Sequence, residues 1–265
     1  MDHPPADADA GDIVIEVDDG IATLWLNRPE KRNAVTFDMW NGIAESCARL
    51  ADDTTVRLLV IRGAGDHFCA GADIGGLGGT SGYARANEAA DTAIADFPTP
   101  IVAFITGACV GGGAEIAIAC DIRLADTSSR FGITPARLGI VYPAFAIERA
   151  VRLLGPSSTK HLLFSAELID ADRALRIGLV DEVHDPDVAE ERLDQLTNLL
   201  AHERSLLTQM ASKQLVDAVA NQGRIPSELA RRWAAEAATG ADSDEGIAAF
   251  MERRAPAFTW TRPAT

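Results

Sequence analysis

Basic residues are scarce in this chain of 265 residues: 24 lysines and arginines face 39 aspartates and glutamates, for a formal net charge of −15. A deficit of this size argues against nucleic acid or an anionic membrane as partner. Aromatic residues are only 6% of the chain, and Trp25, Trp40, Trp233 and Trp260 form no stripe on which bases could stack. Cysteine is limited to Cys47, Cys69, Cys109 and Cys120, with no C-x-x-C pair. The expected state is buried free thiols in a reducing compartment. No His/Cys/Asp cluster has metal-ligand spacing, so no metal is expected. No uninterrupted apolar run reaches about eighteen residues, so no membrane span is expected. The opening MDHPPADADAGD lacks the basic and apolar regions of a secretory signal. It reads as a disordered lead over residues 1–11 of a cytoplasmic protein.

What remains is ordinary for a globular chain: 47% hydrophobic and 24% charged. Two alternating runs from Ile13 to Asn27 flank Asp18, Asp19 and Gly20, which is a hairpin signal. Thr36 is placed to cap a helix in which Phe37, Trp40, Ile43, Ala44, Cys47 and Leu50 keep helical spacing. The apolar runs Val56–Gly63 and Pro100–Gly107 suit strands buried on both faces, and Asp121–Asp126 reads as a third strand. Alternating strands and helices over the first two thirds predict an α/β core with parallel strands. From Ala144 onward the pattern is almost wholly helical. The division expected is a core over 12–200 and a helical C-terminal region over 201–265.

Two glycine clusters each follow a buried run and precede a helix: HFCAGADIGGLGG (67–79) and GACVGGGAE (107–115). Neither contains G-x-G-x-x-G or the G-K-[ST] of a nucleotide-binding loop, and no G-x-S-x-G elbow occurs. Glycine lets a ligand approach the backbone closely. The first N–H groups of a helix are unpaired donors with partial positive charge. Two such donors converging on one oxygen would stabilise an enolate-like anion. Glu115, three residues after Gly112, can share a face with that N–H and move a proton at an adjacent carbon. The plainer alternative is a simple turn, with an acidic residue favoured by the helix dipole alone.

Taken together, LNRPEKRNAVT (26–36), FCAGADIGGL (68–77), GACVGGGAEIAIACDIRLAD (107–126), RFGITPARLGI (130–140), ALRIGLVDEV (174–183) and EGIAAFMERRAPAF (245–258) resemble, in order, the enoyl-CoA hydratase/isomerase (crotonase) superfamily. The resemblance implies an α/β spiral of ββα units with a helical C-terminal trimerisation region, giving a homotrimer or a dimer of trimers. It implies an acyl-CoA thioester as ligand, coenzyme A being part of the substrate, and no further cofactor. The thioester oxygen would lie between the N–H groups of Ala72 and Gly112. Ala70, Gly71, Asp73, Ile74 and Gly75 would line the substrate path. Lys31 and Arg32 sit where such proteins often meet the CoA phosphates, though solvated loop charge explains them equally. Glu115 falls on the first of two hydratase glutamates.

The second glutamate is absent. In family hydratases it follows a pattern like F-G-x-P-E, and here FGITPAR puts Pro135 at that position, with no Asp or Glu between Asp126 and Glu148. Several readings follow. The chain is expected to be an enoyl-CoA hydratase, or an isomerase, with Glu115 alone or helped by Tyr142, which reads more readily as an amphipathic aromatic packed at the pocket rim. The pattern T-P-x-x-L-G-x-x-Y, Thr134 to Tyr142, is similar to that of short-chain acyl-CoA decarboxylases. An acyl-CoA-binding protein without catalysis is the third. Asp73 and Asp121 read as structural caps, and His67 and His161 as packed or surface residues. The glycine-rich segment 75–91 reads as mobile and pocket-shaping.

Overall fold

The computed structural model describes Pro4, residues 11–73, Gly75 and residues 82–263. Most of the expected lead, Ile74 and positions 76–81 therefore lie outside the described residues. The chain opens with a hairpin, β1 (Ile13–Asp18) and β2 (Ile21–Leu26), paired antiparallel with Asp18 opposite Ile21. Its turn takes positive φ at both Asp19 (43°) and Gly20 (80°), the twist-matched geometry of a two-residue hairpin loop. In α1 (Phe37–Asp52) the Thr36 side chain accepts from the Met39 N–H at 3.1 Å, as the sequence predicts.

Then follow β3 (Leu58–Gly63), α2 (Tyr83–Ala95), β4 (Ile101–Ile105), β5 (Ala108–Val110), α3 (Gly112–Ala119), β6 (Ile122–Asp126) and β7 (Arg130–Gly132). Next are α4 (Ala144–Ser165), β8 (Ile169–Asp170), α5 (Ala171–Arg176), β9 (Glu182–His184) and α6 (Pro186–His202). Three helices end the chain: α7 (Leu206–Gln222), α8 (Ser227–Thr239) and α9 (Asp242–Glu252). Two expectations change here. The region after Ala144 contributes strands β8 and β9, which are two and three residues long, too short for alternation to register. The segment expected to be mobile is helical from Tyr83 onward.

The main sheet runs β1-β2-β3-β4-β6-β9, parallel from β2 to β9, and a small second sheet runs β5-β7-β8. Alternation along the central strands explains their unbroken apolar character. Leu59, Ile61, Ile101, Ala103 and Ile105 enter the large core with α1, α2 and α3. Leu58, Val60, Val102, Phe104 and Leu124 pack on Ala189, Leu193 and Leu196 of α6 on the opposite face. Burial on both faces is what a parallel sheet requires. A third cluster, Leu206, Leu207, Met210 and Trp233, joins α7 to α8. Lys213 of α7 reaches back to Asp121 at 2.7 Å, and Asp121 also accepts from the Ile101 N–H at 2.8 Å. Asp121 is thus the structural residue the sequence predicts. All four cysteines are buried and free.

Candidate active site

The small sheet positions the site. Cys69 and Cys109 form a parallel bridge: the Cys69 N–H donates to the Ala108 carbonyl at 2.8 Å, and the Val110 N–H donates to the Cys69 carbonyl at 2.9 Å. The two glycine clusters are thereby laid side by side. After β5 the chain turns through Gly111, whose φ of +56° and ψ of −113° is open to glycine and strained for other residues. Gly113 follows against the other cluster, where a Cβ would stand 2.4 Å from the Cys69 carbonyl oxygen. A side chain there would force α3 away.

Gly112 opens α3, so its N–H has no intrahelical acceptor. On the other cluster, the Val35 N–H donates to the Gly71 carbonyl at 2.8 Å and the Asp73 N–H donates to the Val35 carbonyl at 2.9 Å. Those bonds fix the turn and leave the Ala72 N–H without an acceptor among the described residues. The two donors are neighbours: a Cβ built on Gly112 would lie 3.3 Å from the Ala72 nitrogen. Tyr142 adds a constraint. Its hydroxyl donates to the Gly111 carbonyl at 2.9 Å, which also accepts from the Glu115 N–H at 3.0 Å. Gly111 C=O and Gly112 N–H belong to one planar peptide unit, so holding the carbonyl aims the N–H. The Tyr142 proton is engaged in this bond, which does not fit the use of Tyr142 as a proton donor to substrate.

Both N–H groups border a cavity of about 250 Å³ lined by Ala70, Gly71, Ala72, Gly112, Glu115 and, on its far side, the segment from Thr134 to Phe145. Helix α3 is buried on every side, and Glu115 is 4% exposed. Burial pushes its carboxyl up to about 8; the hydrogen bond from Asn87 opposes that rise, the charge of Asp91 adds to it, and Arg149 opposes it. Asn87 Nδ2 donates to Glu115 Oε1, and Oε2 has no partner among the described residues. Arg149 is itself taken up by buried Asp91, at 2.7 Å. No lysine or arginine lines the cavity among the described residues, and Glu115 is the one carboxyl there. Pro135 lines the wall with Leu138, Ile140 and Val141, so the place of the second glutamate is apolar.

Of the sequence-predicted residues, Glu115, Ala72, Gly112, Ala70 and Gly71 meet at this cavity. Asp73 does not line it: its carboxylate caps the Gly75 N–H at 3.1 Å and pairs with Arg28 at 3.1 Å, the structural role expected of it. Gly75 lies in that cap, and Ile74 is outside the described residues. Lys31 and Arg32 are exposed. His67 accepts from the Ala108 N–H at 3.2 Å, and His161 is on the surface of α4. Sequence reasoning missed Trp40 as a lining residue, and it missed Tyr83, Asn87 and Asp91. These last three fall at a spacing of four residues on one face of α2. That stripe was the available signal, hidden in a segment read by its glycines. Among the described residues there is no group of three or more His, Cys, Asp or Glu able to hold a metal, and no helix long and apolar enough to cross a membrane.

A family model described as enoyl-CoA hydratase/isomerase matches residues 16–261. A crotonyl-CoA hydratase of Syntrophomonas wolfei is 34% identical over 93% of this chain and 97% of its own length. A 2,3-dehydroadipyl-CoA hydratase of Escherichia coli is 30% identical over 93% of this chain and 98% of its own. The crystal structure of an enoyl-CoA hydratase/isomerase family member superposes with a TM-score of 0.88 at 36% identity, covering 95% of this chain and 97% of the other.

Proposed function

The chain belongs to the enoyl-CoA hydratase/isomerase family, and we propose that it adds water to a trans-2-enoyl-CoA with Glu115 as its one acid–base carboxyl. The observation that carries this is the meeting, at one small cavity, of a buried carboxyl with two neighbouring N–H groups that have no acceptor among the described residues. The Ala72 and Gly112 N–H groups hold the thioester oxygen as it gains negative charge. Glu115, as carboxylate, takes a proton from water while the water oxygen bonds to the β-carbon. The double-bond electrons move onto the thioester oxygen as an enolate. The Glu115 acid then returns that proton to the α-carbon, and the thioester carbonyl reforms. Asn87 occupies Oε1 and leaves Oε2 for this exchange.

Binding without catalysis is disfavoured by the same geometry, because Glu115 lines the cavity and is in no ion pair among the described residues. One observation supports a second reading, decarboxylation of a malonyl-type thioester: the wall of Pro135, Leu138, Ile140 and Val141 is apolar. A panel of purified acyl-CoAs, followed by product mass, separates the two. Gain of one water on a trans-2-enoyl-CoA is expected, with Glu115→Gln lowering the rate by at least about 10²-fold. Loss of carbon dioxide from a malonyl-type CoA, migration of a double bond, or full turnover by Glu115→Gln would each defeat the hydratase reading. The protein is further proposed to work without metal or redox cofactor, in the cytoplasm, as a homotrimer or dimer of trimers assembled through its C-terminal helices. The exposed Ile247, Phe250 and Met251 of α9 support assembly through that region.

A further inference from the structure

The chain has two tyrosines, Tyr83 and Tyr142, and both line the cavity. Their hydroxyls are in opposite states. That of Tyr142 gives its proton to the Gly111 carbonyl. That of Tyr83 accepts from Trp40 Nε1 at 2.9 Å, and its own hydrogen has no acceptor among the described residues. Trp40 in turn abuts the oxyanion loop: a Cβ on Gly112 would lie 3.2 Å from its Cζ2. The Tyr83 oxygen is thus tethered, through one indole, to the backbone that would hold the thioester.

The same phenol stands on the carboxyl side of the cavity. Tyr83 precedes Asn87 by one turn on α2, and Asn87 touches Glu115 Oε1. Tyr83 and Glu115 both line the one cavity, and the charge of Glu115 acts on the phenol. That cavity, of about 250 Å³, has room for a water between hydroxyl and carboxyl. Hydration needs that water held, and Pro135 supplies no polar group for it.

We propose that Tyr83 is a catalytic residue of the hydration, its hydroxyl donating a hydrogen bond to the attacking water and holding it against Glu115 Oε2. This role rests on the hydratase reading above. Tyr83 transfers no proton. The water oxygen accepts the phenolic hydrogen bond with one lone pair and bonds to the β-carbon with the other. One water proton passes to Glu115 and on to the α-carbon, the other stays on the new hydroxyl, and both side chains end as they began. Burial, opposed by the hydrogen bond from Trp40 and aided by the charge of Glu115, raises the Tyr83 pKa, so the phenol remains a donor across the working range.

The test compares wild type, Tyr83→Phe and Glu115→Gln in two reactions. One is hydration of crotonyl-CoA. The other is exchange of the α-hydrogens of butyryl-CoA with heavy water, which needs Glu115 and the oxyanion hole but no attacking water. Tyr83→Phe is expected to lose on the order of 10²-fold in kcat for hydration, with KM, butyryl-CoA affinity and α-hydrogen exchange near wild type. Glu115→Gln is expected to lose both reactions. Tyr83→Leu, which also removes the hydroxyl and leaves Trp40 and the oxyanion loop untouched, should show the same split, and it serves if the first variant does not fold. Wild-type hydration by Tyr83→Phe, or equal loss of hydration and exchange, overturns the proposal. A wild type that hydrates no enoyl-CoA overturns the parent reading, and this role with it.

Discussion

Glu115 holds a proton in the folded protein at pH values where an exposed glutamate has lost it. Its carboxyl stands at about 8 against an ordinary 4.5. Across that window the native state binds one more proton than the unfolded chain, so this group lowers stability as pH rises and does so no further above about 8. Glu115→Gln removes the penalty. Its Tm should pull ahead of wild type between about pH 4.5 and 8 and then keep a constant lead. The proposed hydration uses the carboxylate, so wild-type kcat/KM should rise through an apparent pKa near 8. The hydrogen bond from Asn87 holds that value down. Asn87→Ala should therefore move the rising limb to higher pH. An unmoved limb in a pH–rate profile of the variant would show that Glu115 is not the titrating base.

At the scale of elements, α3 is a short helix buried all round, set by contact between two loops. Gly113 is the point of closest approach, and a Cβ there meets the Cys69 carbonyl oxygen. Gly113→Ala is expected to cost about 3 kcal/mol, the upper end for overpacking, read as a shift of the denaturant midpoint, with turnover lost as the Gly112 N–H is displaced. The elements differ in how plainly the sequence announced them. Thr36 with its helical stripe, and Asp19-Gly20 between alternating runs, carry their geometry locally. The strands β5, β7, β8 and β9 have three residues or fewer and exist because partners elsewhere in the chain pair with them. Glu115 beside Gly112 was readable from a glycine-marked turn and its first helical turn, whereas Ala72 as the opposite donor was named only through the family resemblance. Tyr83, Asn87 and Asp91 acquire meaning only once α2 is packed beside α3, a tertiary contact that no local pattern states.

Across the whole molecule, the terminal segment is tied back onto the core. Arg262 Nη2 donates to the Asp53 carbonyl at 2.7 Å beyond the end of α1, and Asp242 accepts from the Thr259 and Trp260 N–H groups, each at 3.1 Å. Helix α9 nonetheless leaves Phe250 82% and Met251 76% exposed. Such apolar exposure is typical of a surface covered in an assembly. Phe250→Asp should shift the molar mass seen by light scattering toward that of one chain, while an unchanged mass would exclude α9 from the contact.

The bridge between Cys69 and Cys109 has a consequence for how the protein can fail. Each of the two proposed oxyanion donors, Ala72 and Gly112, belongs to a different stretch of chain, separated by a full strand and helix, and the backbone ladder between those stretches is part of the fold itself. Neither half of the polypeptide owns the hole. A fragment, however well it collapsed, would inherit one donor and no pair. A lesion anywhere that loosens this seam would silence the chemistry while most of the molecule still looked native, so turnover should be the earliest sensor of damage to the architecture.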